Sequence, residues 1–250
     1  MLVRVLALLI SFLPTLGFYF WFKSFKEDKE YKDNCRKLLF TGIGCSTGVF
    51  LFSLVASLLW ALSGLKKISP ILNEAYSAFV LAAFSEEFVK GLAIRNNCKA
   101  HRDTVSWVDL IVYGGIVGIG FHLLESFVYM FSTNIGQILV RGVTSMHITF
   151  GMIMGYYYGK SIARDKPFYK FLAFFVPWLI HGVFDFTLGE FIEEWCEYLI
   201  VGPFVSLLAD RIYLIVIVVF IIKSRKNNVN VQPIFGLTEQ EEVNDNQLAG

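Results

Sequence analysis

The stretch Phe84-Ser-Glu-Glu-Phe-Val-Lys90 places two adjacent carboxylates inside a run that otherwise has the composition of a membrane-spanning helix. A charged side chain near the centre of a bilayer carries a penalty of roughly 2.5 to 3.5 kcal/mol, so Glu86 and Glu87 need partners or a function. On a helix, the ammonium group of Lys90 can reach either carboxylate, because it follows them by three or four residues. The spacing therefore predicts that Lys90 neutralises one acid and that the other meets polar groups from elsewhere.

The composition of the chain is that of a polytopic membrane protein. Of its 250 residues 55% are hydrophobic and 17% are charged, against about 25% charged in soluble domains, and the mean hydropathy is +0.56. The net charge of +1, with no basic face, gives no indication of a nucleic-acid partner. The four cysteines lack C-x-x-C spacing and fall in different segments, so neither a disulfide nor a zinc finger is expected.

A helix needs about 20 apolar residues to cross the hydrocarbon core of a bilayer. On that basis the sequence predicts an all-α membrane bundle of seven spans: Leu2–Phe22, Leu38–Leu65, Ala75–Ile94, Leu110–Phe131, Gly142–Tyr158, Phe168–Leu188 and Tyr198–Ile222. The first span has no cleavage site after it and is predicted to be retained. Residues 224–250, rich in Asn, Gln and Glu, are predicted to form a disordered tail.

The distribution of Lys and Arg predicts the orientation in the plasma membrane. Sixteen of these residues fall on one predicted side, in Lys23–Lys37, Arg95–Arg102, Lys160–Lys170 and the segment after Ile222. Four fall on the other side: Arg4, Lys66, Lys67 and Arg141. The N-terminus is therefore predicted to lie outside and the C-terminus in the cytoplasm, with Lys23–Lys37 as a solvated connector.

Further titratable residues lie on the three spans that follow the acid pair. Glu125 is in the fourth span, His147 is near the outer end of the fifth, and His181 and Asp185 form an i, i+4 pair on the sixth. An aspartate beside an imidazole fixes its orientation and tautomer. All four residues lie in the outer half of their spans, whereas Glu86 lies near the middle of its own. The sequence predicts that they share one polar site, open to the outside.

Two other features predict packing instead of chemistry. Glycines are concentrated in the fourth and fifth spans, where they allow helices to approach closely at the bundle centre: Gly114, Gly115, Gly118, Gly120, Gly151, Gly155 and Gly159. Asp210 and Arg211 are adjacent in the seventh span, hence on different faces, and are predicted to pair with other helices.

In this order, the polar residues resemble the motifs of the PrsW family of intramembrane proteases, part of the superfamily of CAAX-prenyl endopeptidases and bacteriocin-processing membrane proteins. The resemblance covers roughly Asn73–Leu188 and rests on Glu86-Glu87-x-x-Lys90, Phe121-x-x-x-Glu125, His147 after Arg141, and His181-x-x-x-Asp185. One departure is Ser126, where the family commonly has Asn.

The resemblance implies a protease domain over residues 1–223, with its motif-bearing core at residues 73–188. Its substrate would be a single-pass membrane protein in the lipid bilayer; in the best-known bacterial members the enzyme makes the first cut of an anti-sigma factor on its outer side. The catalytic residues would be Glu86, Glu87, Glu125, His147, His181 and Asp185, supported by Lys90 and Phe121.

The residue types suit peptide hydrolysis, which needs a base for water, donors for the oxyanion and an acid for the leaving amine. Glu86 or Glu125 can be the base, and His147 and His181 can donate to the oxyanion. The same four side chains also suit a divalent metal such as zinc or manganese, so hydrolysis with or without a metal is compatible with the sequence. An ionised Asp185 cannot donate a hydrogen bond, so it must be protonated, orient His181 or help to hold a cation.

Three other classes are compatible with part of the pattern. A proton- or ion-coupled transporter also buries Glu, His and Asp in the membrane, but no inverted repeat or Pro-interrupted pair of helices is evident. An acyltransferase is disfavoured because the spacing of its His and Asp is one residue longer. A scaffold with a degenerate site is disfavoured because every polar motif position carries a competent side chain. No serine or cysteine has a nucleophile arrangement, and Ser85 is discounted because it lies on a different helix face from Glu86.

Overall fold

The computed structural model describes residues 1–64, 69–188 and 201–235 of the chain. Within these ranges the chain forms helices and no β-strand, which confirms the predicted all-α class. The elements are α1 (Leu2–Lys23), α2 (Lys29–Ser63), α3 (Pro70–Tyr76), a π-helical segment (Ser77–Phe84), α4 (Ser85–Ala100), α5 (Trp107–Tyr129), α6 (Ile135–Val143), α7 (Met146–Ala163), α8 (Phe168–Thr187) and α9 (Val201–Lys226).

Five helices in the described part of the chain are long and apolar enough to span a membrane: α1, α2, α5, α8 and residues Gly202–Lys226 of α9. The predicted span Ala75–Ile94 is the middle of a longer helical run from Pro70 to Ala100, about 46 Å long at the usual rise per residue. Hydropathy misses the ends of this run because they are polar. Two of the predicted spans are not represented among these five helices. They correspond to Pro70–Ala100, which carries the acid pair, and to α6 and α7, of which α7 carries His147.

The predicted span Gly142–Tyr158 is divided between two helices, α6 and α7. The backbone leaves helical geometry at Ser145, where ψ is 70°, and α7 begins at the next residue. At this break the Arg211 side chain donates a hydrogen bond to the Thr144 carbonyl at 3.1 Å. Arg211 thus contacts another segment, as predicted, and it also pairs with its neighbour Asp210 at 2.7 Å, which the prediction did not include.

The predicted connector Lys23–Lys37 is mostly helix, because α2 begins at Lys29. Asp28 caps this helix by accepting hydrogen bonds from the backbone N–H groups of Glu30 and Tyr31, at 3.2 and 2.8 Å. The side chain of Tyr31 is then buried, as that of Cys35 is one turn later. The cap and the buried helix face stabilise the helix despite the many charged residues of this segment, which lie on its solvated side.

Helix α5 is the centre of the bundle, as its glycines predict. In the most apolar stretch of α5, 89% of the residues are buried. The helix packs antiparallel to α7. A side-chain carbon at Gly114 would collide with the backbone of Gly151, and one at Gly118 would collide with the carbonyl of His147. The two backbones are therefore in direct contact, which only glycine permits at these positions.

The basic segments gather at one end of the bundle. Lys26, between α1 and α2, forms an ion pair of 2.6 Å with Asp109 in the first turn of α5. At the same end, Arg225 of α9 donates to the carbonyl of Phe25 at 3.1 Å. Arg4 lies at the opposite end, where it donates to the carbonyl of Met130 at 2.9 Å. The structure thus separates the charges as the positive-inside count requires, while Lys66 and Lys67 lie outside the described residues.

The predicted disordered tail differs from the structure in its first part. The Ile234 N–H donates to the carbonyl of Val105 at 2.9 Å, and the Ile234 side chain is only 4% exposed. Two apolar residues, Ile234 and Phe235, give residues 227–235 a surface to pack with, which the polar average of the tail conceals. Residues 236–250 lie outside the described ranges. Among the cysteines, Cys35, Cys45 and Cys98 are free thiols, and Cys196 lies outside the described residues.

Candidate active site

The acid pair lies in the first turn of α4, near the middle of the Pro70–Ala100 run. The ammonium group of Lys90, which is fully buried, donates to Glu87 Oε1 at 2.7 Å and lies 3.8 Å from Glu86 Oε2. Lys90 therefore pairs with one of the two acids, as the spacing predicts. Glu86 is the acid left over, because its buried Oε2 accepts no hydrogen bond within the described residues.

The π-helical segment Ser77–Phe84 precedes the acid pair and changes the direction in which the next side chains point. Wide π turns inside α-helices occur often at functional sites. The segment is held against α8, where the indole of Trp178 donates to the Phe79 carbonyl at 2.9 Å and the Phe79 ring fills the space beside Gly182. This packing places Glu87 next to His181, one residue before that glycine.

His147 joins the acid pair to a third carboxylate. Its Nδ1 lies 3.1 Å from the ammonium of Lys90, and its Nε2 lies 2.6 Å from Glu125 Oε2. A lysine ammonium can only donate, so Nδ1 is the acceptor and Nε2 carries the proton that is donated to Glu125. The contacts thus select one tautomer of His147 and fix the plane of its ring.

His181 lies between two carboxyl groups. Its Nδ1 is 2.8 Å from Glu87 Oε1 and its Nε2 is 3.2 Å from Asp185 Oδ2, the predicted i, i+4 contact. Two ionised carboxylates would both accept hydrogen bonds, so either His181 carries two protons or one carboxyl group carries one. The arrangement holds a mobile proton beside the acid pair. The rings of His181 and His147 are 5.6 Å apart, so both imidazoles belong to one cluster.

Arg141 belongs to the site, although the sequence motifs alone indicated no role for it. Its guanidinium pairs with Glu125 Oε2 at 2.8 Å and lies over the ring of Tyr129, 4.1 Å from the centroid. The signal for it was available, since a lone arginine among apolar residues beside a membrane glutamate calls for an ion pair. Arg141 lies on α6 and His147 on α7, so Glu125 binds both sides of the break between these helices.

The predicted polar residues surround a single cavity of about 460 Å³. Its wall includes Glu86, Glu125, Arg141, His147, His181 and Asp185. Behind this wall, the ring of Phe121 lies 4.4 Å from the Lys90 ammonium. Phe150 also lines the cavity, and its ring stacks on that of His181 with the centroids 5.4 Å apart. The six predicted catalytic residues are thus connected, with Glu87 in the layer behind the cavity surface. Ser85 is elsewhere occupied, because its hydroxyl donates to the Leu81 carbonyl at 2.5 Å.

The cluster also fits a divalent metal ion. Glu86, Glu87 and His147 each offer one ligand atom, and these atoms lie within 4.8 Å of one another. Glu86 Oε2 and Glu87 Oε2 are buried and accept no hydrogen bond within the described residues, as expected of ligand atoms. Carboxylates and imidazole are the donors that zinc takes at catalytic sites. The ammonium of Lys90 lies in the same space and must move for a metal to enter.

This group lacks Glu125 and His181 of the predicted metal set and contains Glu87 instead. Glu125 bonds to the far nitrogen of His147, and both nitrogens of His181 face carboxyl groups, so Glu87 takes their place beside Glu86. The transporter alternative gains no support from the described helices. Pro14 and Pro177 lie inside continuous helices and not in an unwound pair.

The fold and the site together define a polytopic helical membrane protein with a buried acid and imidazole cluster at the wall of a cavity. The family model described as "PrsW family intramembrane metalloprotease" matches residues 36–223. The chain therefore belongs to the PrsW family, as the motifs indicate.

Curated relatives agree with this assignment. The chain is 32% identical over 133 residues to "Protease PrsW" of Geobacillus kaustophilus, 36% over 137 residues to that of Oceanobacillus iheyensis, and 29% over 191 residues to that of Clostridioides difficile. These alignments cover 52%, 52% and 72% of this chain and 59%, 61% and 78% of those proteins, so the chain spans less than two thirds of the first two. No solved structure matches the chain.

Proposed function

We propose that the chain hydrolyses a peptide bond of a membrane-anchored protein at the cavity within the bilayer. One observation carries this proposal: Glu86 is buried at the cavity wall with two imidazoles nearby, and one of its oxygens accepts no hydrogen bond from the part of the chain that the structure describes. A carboxylate in this state is a strong proton acceptor for a water molecule in the cavity. An acid that served only packing would have its hydrogen bonds satisfied.

The roles follow from the contacts. Glu86 takes the proton of the water whose oxygen attacks the scissile carbonyl carbon. Arg141 and His181 reach the cavity wall as N–H donors and stabilise the negative charge that develops on the carbonyl oxygen. Glu86 then passes this proton to the leaving nitrogen as the C–N bond breaks, which regenerates its carboxylate. His147, oriented by Lys90 and Glu125, lies beside the proton acceptor, with its Nδ1 3.8 Å from Glu86 Oε2.

A metal would change one of these roles. Bound among Glu86, Glu87 and His147, a divalent ion would supply a Lewis acid that polarises the carbonyl and makes water more acidic. Glu86 would then be a ligand instead of the proton acceptor, and the N–H donors of the chain would keep the roles given above.

We further propose that the substrate is a single-pass membrane protein of the plasma membrane, cut towards its outer side. The cavity reaches α6 and the end of α5 that bears Tyr129, opposite the end that carries the basic segments. With those segments in the cytoplasm, the N-terminus is outside and the site opens outward. An anti-sigma factor is the substrate that the family resemblance favours.

The test is cleavage by the detergent-purified protein of a panel of single-pass membrane proteins that includes an anti-sigma factor. Wild type is compared with Glu86→Gln and with Asp103→Asn, which removes an exposed carboxylate far from the cavity. We expect cuts with wild type and Asp103→Asn and none with Glu86→Gln. Chelator treatment, with the bound metal measured before and after, separates metal-dependent from metal-free hydrolysis. Failure to cut any chain, or equal cutting by Glu86→Gln, would contradict the proposal.

A further inference from the structure

A second cavity of about 670 Å³ lies between α4, α7 and α8 and shares no lining residue with the first. It begins at Phe84 and extends along α4 towards the end of the bundle that carries the basic segments. Arg95 follows Glu86 by nine residues, about 14 Å along the helix. The cavity is therefore a groove on the membrane-facing side of α4, distinct from the acid and imidazole cluster.

The long part of the groove is apolar. Phe84 and Phe88, which are 36% and 46% exposed, stack with their ring centroids 5.6 Å apart and form one wall. Phe174 of α8 meets Phe84 edge-on at 5.5 Å and forms the opposite wall. The buried Met154 of α7 and the small residue Gly91 form the floor. Such an apolar groove, lined by exposed rings, matches the chemistry of an acyl chain.

Three cations stand at the other end of the groove. Arg95 and Lys99 lie one turn apart on α4, and Lys170 faces them from the first turn of α8. All three are exposed, and no carboxylate among residues 1–64, 69–188 and 201–235 lies within 4 Å of them. Gathered like charges without a carboxylate beside them attract an anion, and cations near the ends of membrane helices extend towards the lipid headgroups.

We propose that this groove binds an anionic phospholipid, with its phosphate between Arg95, Lys99 and Lys170 and one acyl chain along Phe84, Phe88 and Phe174. A basic pocket between membrane helices on the side richer in Lys and Arg is the setting in which anionic headgroups bind. A transmembrane segment of a substrate fits the groove less well, because such segments usually carry Lys and Arg on this side and would meet the three cations. The bound lipid bridges α4 and α8, the helices that carry Glu87 and His181.

The test uses the full chain in detergent micelles mixed with one lipid at a time: phosphatidylglycerol, phosphatidylcholine or, as the headgroup alone, inorganic phosphate. Bound lipid is counted by native mass spectrometry, and the thermal unfolding midpoint is measured. For wild type we expect retained phosphatidylglycerol and a midpoint raised by several degrees. We expect at least tenfold weaker retention of phosphatidylcholine and no effect of phosphate.

Two variants separate the headgroup from the chain contacts. Arg95→Gln/Lys99→Gln/Lys170→Gln should lower phosphatidylglycerol retention at least tenfold, whereas the control Lys37→Gln/Arg164→Gln/Lys166→Gln removes three exposed cations near the same end and should not. Gly91→Leu should block the acyl chain, since a side chain there has open space with only Met154 Sδ nearby, at 3.9 Å.

Equal loss of retention in the two triple variants would mean general charge attraction and would overturn the proposal. Unchanged retention in the groove triple variant or in Gly91→Leu would do the same, as would stabilisation by phosphate alone. A variant that does not accumulate is replaced by its single substitutions, with Lys170→Gln, on the far side of the groove, measured first. Its retention must then fall relative to Lys166→Gln.

Discussion

Replacing Lys90 by Met removes the one cation that lies within the acid pair while keeping an apolar stem of similar length. At 2.7 Å and an effective dielectric constant of about 20, the ammonium and Glu87 attract each other by about 6 kcal/mol. The variant has no ammonium to desolvate, and this saving offsets part of the lost attraction. Breaking a buried pair by removing one partner costs about 3–5 kcal/mol, so we expect the unfolding midpoint to fall by roughly 10 °C.

The assay is thermal unfolding of the purified protein in detergent, with Lys37→Met as the control because Lys37 is exposed. The control should stay within about 0.5 kcal/mol of wild type. The double variant Lys90→Met/Glu87→Gln removes both charges, and its amide oxygen still accepts from His181. It should recover at least half of the lost stability. A midpoint for Lys90→Met within 2 °C of wild type, or no recovery in the double variant, would refute charge balance as the role of Lys90.

Glu86→Gln and His181→Ala should each abolish cleavage in membranes, with the double variant no worse, because residues that share one catalytic step are not additive; near-normal turnover in either would contradict the assignment. Arg141→Lys keeps the charge but not the planar fork and should slow cleavage at least tenfold with little change in protein level; wild-type rates would remove Arg141 from the site. Reporter fusions after Asn134 should be extracytoplasmic and those after Lys99 cytoplasmic; the reverse pattern would place the cavity on the inner side.

The core of the site was predictable because charge in a membrane leaves few alternatives. Glu86 and Glu87 had to be compensated, and Lys90 was the nearest cation on the same helix face. The i, i+4 spacing of His181 and Asp185 likewise required only that the segment be helical. Each of these inferences depends on local geometry, which the sequence expresses directly.

What the sequence did not reveal depends on contacts between distant segments. The break after α6 lies in an apolar run, and hydropathy does not register it; a side chain on α9, Arg211, donates a hydrogen bond to the Thr144 carbonyl at this break. The residues of the π-helical segment, SAFVLAAF, also occur in ordinary α-helices, so composition does not indicate its wide turns; the segment contacts α8 through the hydrogen bond from Trp178 to Phe79. The first part of the predicted tail packs through Ile234 and Phe235, which an average over a polar segment hides.

The contact between Gly118 and the carbonyl of His147 has a consequence for how this chain can vary. The position of the His147 imidazole in the site depends on the absence of a side chain at Gly118, on the neighbouring helix α5. Even a single methyl group at Gly118 would push the start of α7 away from α5, and the His147 ring would move with it. Glu125 lies on α5, two turns after Gly118. This displacement would therefore break the hydrogen bond between His147 and Glu125. A position that touches no substrate thus tolerates as little change as the acids themselves.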